Sequence, residues 1–329
     1  MERPSPTRRN RGPRHVACEV LDLLEQSGTR SSQELAHTGH LLQDERDIRL
    51  ATELVYGTLR HRSELDYHLT RISGRALENI QPLLLSPFRI ALYQILHLDR
   101  VPSSAAVNES VEIAQERAGA RAAGFVNAVL RKASNCPDDL RLPPEGDDPI
   151  GSLALRHSLP VWMVFRWWER LGEVETRLLA ASLSEPAPSA LWVNTSRTDS
   201  GGLAAELERE GVHTEPSSLL SGSLRVVHGR PQRTAAFREG KCYLQDEASQ
   251  AVVSLAEARP GDLVADLCAA PGGKSAGLAV AVGEGGRVVL RAALPLLVGN
   301  THRRCAVKIQ KVRAIVKDCA WKEDCLPPG

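Results

Sequence analysis

Residues 262–275 read Asp-Leu-Val-Ala-Asp-Leu-Cys-Ala-Ala-Pro-Gly-Gly-Lys-Ser, an apolar run followed by a proline-glycine turn and the start of a helical pattern. This order predicts a strand, a turn and a helix. In an open parallel sheet, ligands bind beyond the carboxyl ends of the strands, where the next helix begins. Gly272 and Gly273 let the backbone approach such a ligand closely, and the N–H groups of the helix start attract a carboxylate or phosphate. The stretch therefore predicts a site for a nucleotide-type ligand.

Three such ligands are compatible with a turn of this kind. A phosphate-binding P-loop requires G-x-x-x-x-G-K-[ST]; Gly273-Lys274-Ser275 fits its end, but Cys268 stands where its first glycine is required. A dinucleotide site requires G-x-G-x-x-G, which this stretch lacks. S-adenosylmethionine needs neither pattern, and a glycine turn without any ligand is the remaining alternative.

The segment Asp266 to Ser275, D-L-C-A-A-P-G-G-K-S, resembles the cofactor motif of the RNA cytosine-C5 methyltransferases. The resemblance extends over roughly residues 15–290. Upstream matches to this family are Leu244–Gln250, which resembles the helix before its core, and Leu191–Asn194, in which Trp192 replaces the usual arginine. Matches to a NusB-like helical domain are Tyr93–Leu96, Val101–Pro102, Ala106–Val111 and Gly124–Arg131. The combination is similar to the bacterial 16S rRNA cytosine-C5 methyltransferases of the Sun/Fmu or RsmB type.

This resemblance implies S-adenosylmethionine as the cofactor and small-subunit rRNA as the partner. The residues it assigns to cofactor binding are Cys268, Ala269, Ala270, Pro271, Gly272, Gly273, Lys274 and, at the end of a later strand, Asp318. Cys268 is then a turn residue and not a nucleophile, and Asp266 fixes the turn.

The residues for methyl transfer itself do not match the family. Its chemistry adds a cysteine thiolate to C6 of the base so that C5 can accept a methyl group, and that cysteine is expected after a proline. No cysteine here follows a proline: Cys305, Cys319 and Cys325 follow Arg304, Asp318 and Asp324. Arg291 also occupies the place of the acid that is expected to bind the ribose. The chain therefore has no predicted catalytic residue, and we expect no methyl transfer from it.

The sequence predicts a multidomain protein. Residues 1–14 form a disordered basic tail, in which Arg8, Arg9, Arg11 and Arg14 are candidate phosphate contacts. Residues 15–134 form an all-α NusB-like domain, 135–149 a linker rich in proline, and 150–240 a small α+β segment. Residues 241–329 form an incomplete α/β Rossmann-like methyltransferase core.

Local patterns support these divisions. Val16, Val20, Leu23 and Leu24 lie on one face of a helix. Ser86-Pro87 predicts a helix start, and residues 263–267 predict a buried strand.

The last predicted domain is short for a complete core. Its 89 residues are enough for about three βα units at roughly 30 residues each, whereas the fold implied by the resemblance has more strands. Residues 291–329 carry eight Lys and Arg against three acids. They are either a basic RNA-binding tail or the product of a misread frame or a truncated gene.

Composition narrows the class of protein. Aromatic residues make up 4% of the chain, which disfavours broad base-stacking surfaces, and the net charge is +1. The seven cysteines include no C-x-x-C pair, so no zinc site is predicted from them. Free thiols and the lack of a long apolar stretch favour a cytoplasmic protein without a membrane span. A non-catalytic RNA-binding protein, or an inactive remnant, is the alternative to an enzyme.

Overall fold

The computed structural model describes residues 12–27, 42, 44–136 and 140–290. The chain divides after Pro186 into two compact units, which are described separately below. No helix in these ranges is long and apolar enough to cross a membrane.

The first unit is helical throughout its described part, as predicted for residues 15–134. Its helices are α1 (Pro13–Ser27), α2 (Glu45–Arg60), α3 (Arg62–Ser73), α4 (Pro82–His97), α5 (Ser103–Asn135), α6 (Pro149–Arg156) and α7 (Val161–Ser184). Val16 and Val20 are fully buried and Leu24 packs against the core, which confirms these three members of the predicted face of α1, whereas Leu23 is exposed. The core of helices α1 to α5 is built around Phe88, which is fully buried.

Arg14 corrects the predicted start of the folded chain. It lies in α1 and is buried; its Nε donates a 2.7 Å hydrogen bond to Gln94 Oε1, and its Nη1 lies 2.5 Å from Glu109 Oε1. A buried, paired guanidinium is not available to a phosphate, so the proposed contact by Arg14 is wrong. The other three tail arginines lie outside the described residues.

The start of α4 differs from the prediction as well. The helix begins at Pro82 and contains Pro87, rather than beginning at Ser86. Pro82 occupies the first helical position, where a missing N–H costs nothing. The Ser86 hydroxyl donates a 2.6 Å hydrogen bond to Asp22 Oδ1 of α1 instead of capping the helix.

The predicted segment 150–240 is not one structural piece. Helices α6 and α7 belong to the first unit, where Leu153, Ala154, Val164 and Ala180 form their own small core. The antiparallel sheet belongs to the second unit.

The second unit begins with a four-stranded antiparallel sheet. Its elements are β1 (Ser189–Val193), α8 (Ser200–Arg209), β2 (His213–Pro216), β3 (Leu224–His228), α9 (Ala235–Arg238) and β4 (Cys242–Leu244). The strand order is β2-β3-β1-β4, and Trp192 of β1 pairs with Tyr243 of β4. Strand β4 thus belongs to this sheet, which corrects the boundary predicted at residue 240.

A parallel βαβ motif follows, as the sequence predicts. Its elements are α10 (Glu247–Leu255), β5 (Leu263–Asp266), α11 (Gly273–Val282) and β6 (Arg287–Leu290). Strands β5 and β6 pair in parallel, with Val264 opposite Val288. The prediction that residues 263–267 are buried is wrong, because Leu263 and Leu267 are 72% and 67% exposed. Within the described residues β5 has one neighbouring strand, so little covers these side chains.

Candidate cofactor-binding turn

Asp266 holds the turn between β5 and α11 together. Its Oδ1 accepts a 3.1 Å hydrogen bond from the Cys268 N–H, and its Oδ2 accepts a 2.6 Å hydrogen bond from the Ser275 hydroxyl. The single carboxylate therefore joins the end of the strand to the first turn of the helix. This is the role that the sequence predicts for Asp266.

The two glycines let the backbone close on itself. Gly272 has φ 105° in the left-handed region, where a side chain is strained. Gly273 opens α11, and a Cβ added there would lie 3.1 Å from Tyr243 Cε1 and 3.2 Å from Gln245 Nε2. The turn thus presses against the end of β4, and only glycine fits without displacing a neighbour.

Gln245 supplies a polar atom that has no hydrogen-bond partner among the described residues. Its Oε1 is buried and accepts no hydrogen bond, while its backbone N–H donates a 3.0 Å bond to the carbonyl of Ala190. A buried acceptor without a hydrogen-bond donor lowers the stability of the protein. A ligand that donates a hydrogen bond at this point would remove that free-energy cost. Sequence patterns did not assign Tyr243 or Gln245 to the site; the available signal was that 244–250 resemble the family immediately before its core.

The predicted cofactor residues in the described part of the chain lie on this one turn. Ala269 and Gly272 are buried and Gly273 is half-buried; the exposed members are Cys268, Ala270, Pro271 and Lys274. Their contact with a cofactor stays a prediction. Asp318 and Arg291 lie outside the described residues.

The described cysteines differ in their chemistry. Cys268 is exposed on the turn, whereas Cys242 of β4 is buried, and burial raises the pKa of its thiol to about 12. Burial also raises the pKa of Cys18 to about 12. A nucleophilic cysteine must be a thiolate near neutral pH, so neither buried residue suits that role.

The turn is equipped to hold a ligand, with backbone donors, a glycine approach and an unpaired acceptor.

Two family descriptions match the chain. Residues 11–135 match the NusB family, and residues 159–232 match the RsmF/B-like methyltransferase ferredoxin-like domain. The first covers the helical core, and the second covers α7 and most of the antiparallel sheet.

Individual relatives agree with these matches. The chain is 32% identical over 271 residues to "Probable ribosomal RNA small subunit methyltransferase B" of Bacillus subtilis, covering 81% of this chain and 59% of that protein. It is 32% identical over 236 residues to ribosomal RNA small subunit methyltransferase B of Vibrio cholerae, covering 70% of this chain and 52% of that protein. The crystal structure of PH0851 superposes with a TM-score of 0.72 at 21% identity, over 97% of this chain and 70% of that one. The last comparison shows a shared fold.

The fold and these matches define the class: a NusB-type helical domain joined to a methyltransferase-like α/β segment. The chain contains a NusB domain and an RsmF/B-like ferredoxin-like domain, and its homologues are named ribosomal RNA small subunit methyltransferase B. It spans between 52% and 59% of the length of the two relatives described above.

Proposed function

We propose that this chain binds S-adenosylmethionine and small-subunit rRNA, as part of a system that methylates C5 of a cytosine. The turn closed by Asp266, beside the unpaired acceptor of Gln245, is the observation that carries the cofactor part. The names of the relatives support an rRNA substrate. The choice of cytosine C5 rests on the resemblance of the 266–275 motif.

The turn residues have distinct proposed roles. When bound, S-adenosylmethionine supplies an electrophilic methyl group. The backbone at Gly272 and Gly273 approaches the ligand, and the N–H groups at the start of α11 face its methionine carboxylate. Asp266 orients these donors through Cys268 and Ser275, while Gln245 Oε1 accepts a hydrogen bond from an N–H or O–H group of the ligand.

Methyl transfer to cytosine C5 also needs a thiolate that attacks C6. None of the seven cysteines in this sequence follows a proline, as the resemblance requires. We therefore expect these 329 residues to bind the cofactor and RNA without methylating the RNA.

The second candidate is an RNA-binding protein that does not use the cofactor. The match of residues 11–135 to the NusB family favours it. The two candidates agree on RNA binding and differ on S-adenosylmethionine.

Calorimetric titration separates them. Wild-type protein should bind S-adenosylmethionine with one site and show no binding of ATP. Asp266→Ala should weaken that binding by about tenfold or more, the equivalent of about 1.4 kcal/mol. RNA binding without cofactor binding would favour the second candidate, and ATP binding alone would restore the P-loop alternative. Incubation with naked small-subunit rRNA and labelled cofactor tests turnover, for which we expect no incorporation above background.

A further inference from the structure

Three side chains of the helical unit converge at a point far from the cofactor turn in sequence. His61 lies between α2 and α3, Glu64 lies in the first turn of α3, and His97 is the last residue of α4. From their arrangement we propose that His61, Glu64 and His97 bind a divalent transition metal ion, with Zn²⁺ as the best match.

The donor atoms are arranged as a coordination set. His61 Nδ1 lies 2.9 Å and His97 Nε2 lies 3.1 Å from the same carboxylate oxygen, Glu64 Oε2. All three atoms lie within 4.8 Å of one another. Bonds of about 2.0–2.2 Å at tetrahedral angles place zinc ligands roughly 3.4 Å apart, so small side-chain rotations are enough to admit the ion.

Neutral tautomers of His61 and His97 can each donate an N–H to Glu64, whereas a doubly protonated pair is disfavoured. The imidazole rings of His61 and His97 stand 3.9 Å apart between centroids, so protonating both rings would place two cations side by side. Glu64 can balance one positive charge. A divalent cation replaces the protons and uses the lone pairs of all three donors together.

The three side chains are largely shielded from solvent. The side chains of His61, Glu64 and His97 are 20%, 14% and 25% exposed. Partial shielding from solvent strengthens the attraction between a cation and the Glu64 carboxylate.

The rings are also held in place from behind. Tyr93 stacks on His97 at 5.4 Å between centroids, and its hydroxyl donates a 2.5 Å hydrogen bond to Glu53 Oε1. The Ser63 N–H donates to the Ser158 hydroxyl oxygen at 2.9 Å, which ties the start of α3 to the chain after α6. Such support orients metal ligands before the ion arrives.

The donor types select the metal. Two imidazole nitrogens and one carboxylate oxygen form a borderline-soft set that suits Zn²⁺, with a fourth position left for water. Elsewhere in the described ranges histidine–carboxylate contacts occur only as pairs, such as His15 with Glu116, and no other cluster supplies three donors.

Zinc chloride titrated into chelator-treated, full-length protein tests the proposal. One equivalent should bind, and the double variant His61→Gln/His97→Gln should lose about 100-fold or more in affinity, the equivalent of about 2.7 kcal/mol. The matched control His15→Gln/Glu116→Gln removes an exposed pair of the same chemistry and should bind as wild type. Equal binding by the wild type and the His61/His97 variant would overturn the proposal.

Cysteines are the competing ligands, so the ion is also replaced by Co²⁺. A spectrum of tetrahedral cobalt without thiolate charge transfer is expected, and a strong thiolate band would assign the ion to cysteine.

A third readout does not depend on whether the variants fold. Zinc should raise the melting temperature of wild-type protein in a saturable manner. It should also protect His61 and His97, but not His15, from diethylpyrocarbonate, as mapped by mass spectrometry. No thermal shift together with no protection would refute the site.

Discussion

Asp266 Oδ2 accepts a 2.6 Å hydrogen bond from the hydroxyl of Ser275, which lies nine positions later in the sequence. Its other oxygen accepts from the backbone of Cys268, so one side chain joins the strand, the loop and the helix. Ser275 is itself buried. The shape of the candidate cofactor site therefore depends on a single pair of side chains.

Ser275→Ala removes one half of that pair. A hydrogen bond to a charged group contributes about 1.5–3 kcal/mol. The free energy of unfolding of the second unit, measured in urea titrations, should therefore decrease by about that amount. Because the loop is then held only through Cys268, affinity for S-adenosylmethionine should also fall. Ser254→Ala, at an exposed position of α10, is the control and should leave both quantities unchanged. Unaltered affinity in Ser275→Ala would mean that the turn keeps its shape without the hydrogen bond between Asp266 and Ser275.

Gly273→Ala tests the close packing of the turn on β4. The new methyl group would stand 3.1 Å from Tyr243 Cε1 and 3.2 Å from Gln245 Nε2. We expect weaker binding of S-adenosylmethionine in calorimetry, because Gln245 has to move. Gly124→Ala is the matched control, since no atom lies within 4 Å of its added Cβ. That control should bind as wild type and gain about 0.5–1 kcal/mol in stability.

Thiol labelling distinguishes Cys268 from Cys242, the two described cysteines of the second unit. Cys268 is exposed, whereas burial raises the pKa of the Cys242 thiol to about 12. Cys242 therefore remains a protonated thiol at pH 8. Iodoacetamide followed by peptide mapping should modify Cys268 first and leave Cys242 intact until the protein unfolds. S-adenosylmethionine should slow the modification of Cys268. Equal rates at the two positions would contradict the burial of β4.

Gly57→Ala probes the contact between α2 and α4. An added Cβ would fall 2.0 Å from Tyr93 Cζ, so the tyrosine ring would have to leave its place. Overpacking of this kind costs about 1–3 kcal/mol, measured as a shift of the urea midpoint. In a Tyr93→Leu background the same substitution should cost less, and a double-mutant cycle measures the difference. An equal cost in both backgrounds would show that the ring is not the obstacle.

The strongest parts of the sequence prediction were local. The helical spacing of Val16, Val20 and Leu24 located α1, and the strand predicted at residues 263–267 matches β5. The parallel pairing of β5 with β6 followed from the strand-turn-helix order. These features depend on neighbours in sequence, which periodicity reports directly.

The errors concern features decided by distant residues. Strand β4 has three residues and exists because it pairs with β1, some fifty positions earlier. In the sequence Arg14 stands among prolines and arginines. In the structure it is buried and pairs with Gln94 and Glu109.

The candidate sites also differ in whether their residues are neighbours in sequence or come from distant parts of the chain. The turn at 266–275 could be found because its residues are contiguous. Gln245 lies immediately after β4, and the cluster of His61, Glu64 and His97 is assembled from three helix ends, so no spacing pattern predicts either.

The pairing of β4 with β1 also bears on how such proteins can recombine. Tyr243 of this strand lies under Gly273, and Gln245 beside it remains bonded to Ala190. A crossover between two homologous genes near codon 240 would take strands β1 to β3 from one parent. Strand β4 and the residues that contact the turn would then come from the other parent. Hybrids broken there should fail more often than hybrids broken near codon 187, where the chain passes between its compact units. The sheet and the turn are therefore expected to be inherited as one block.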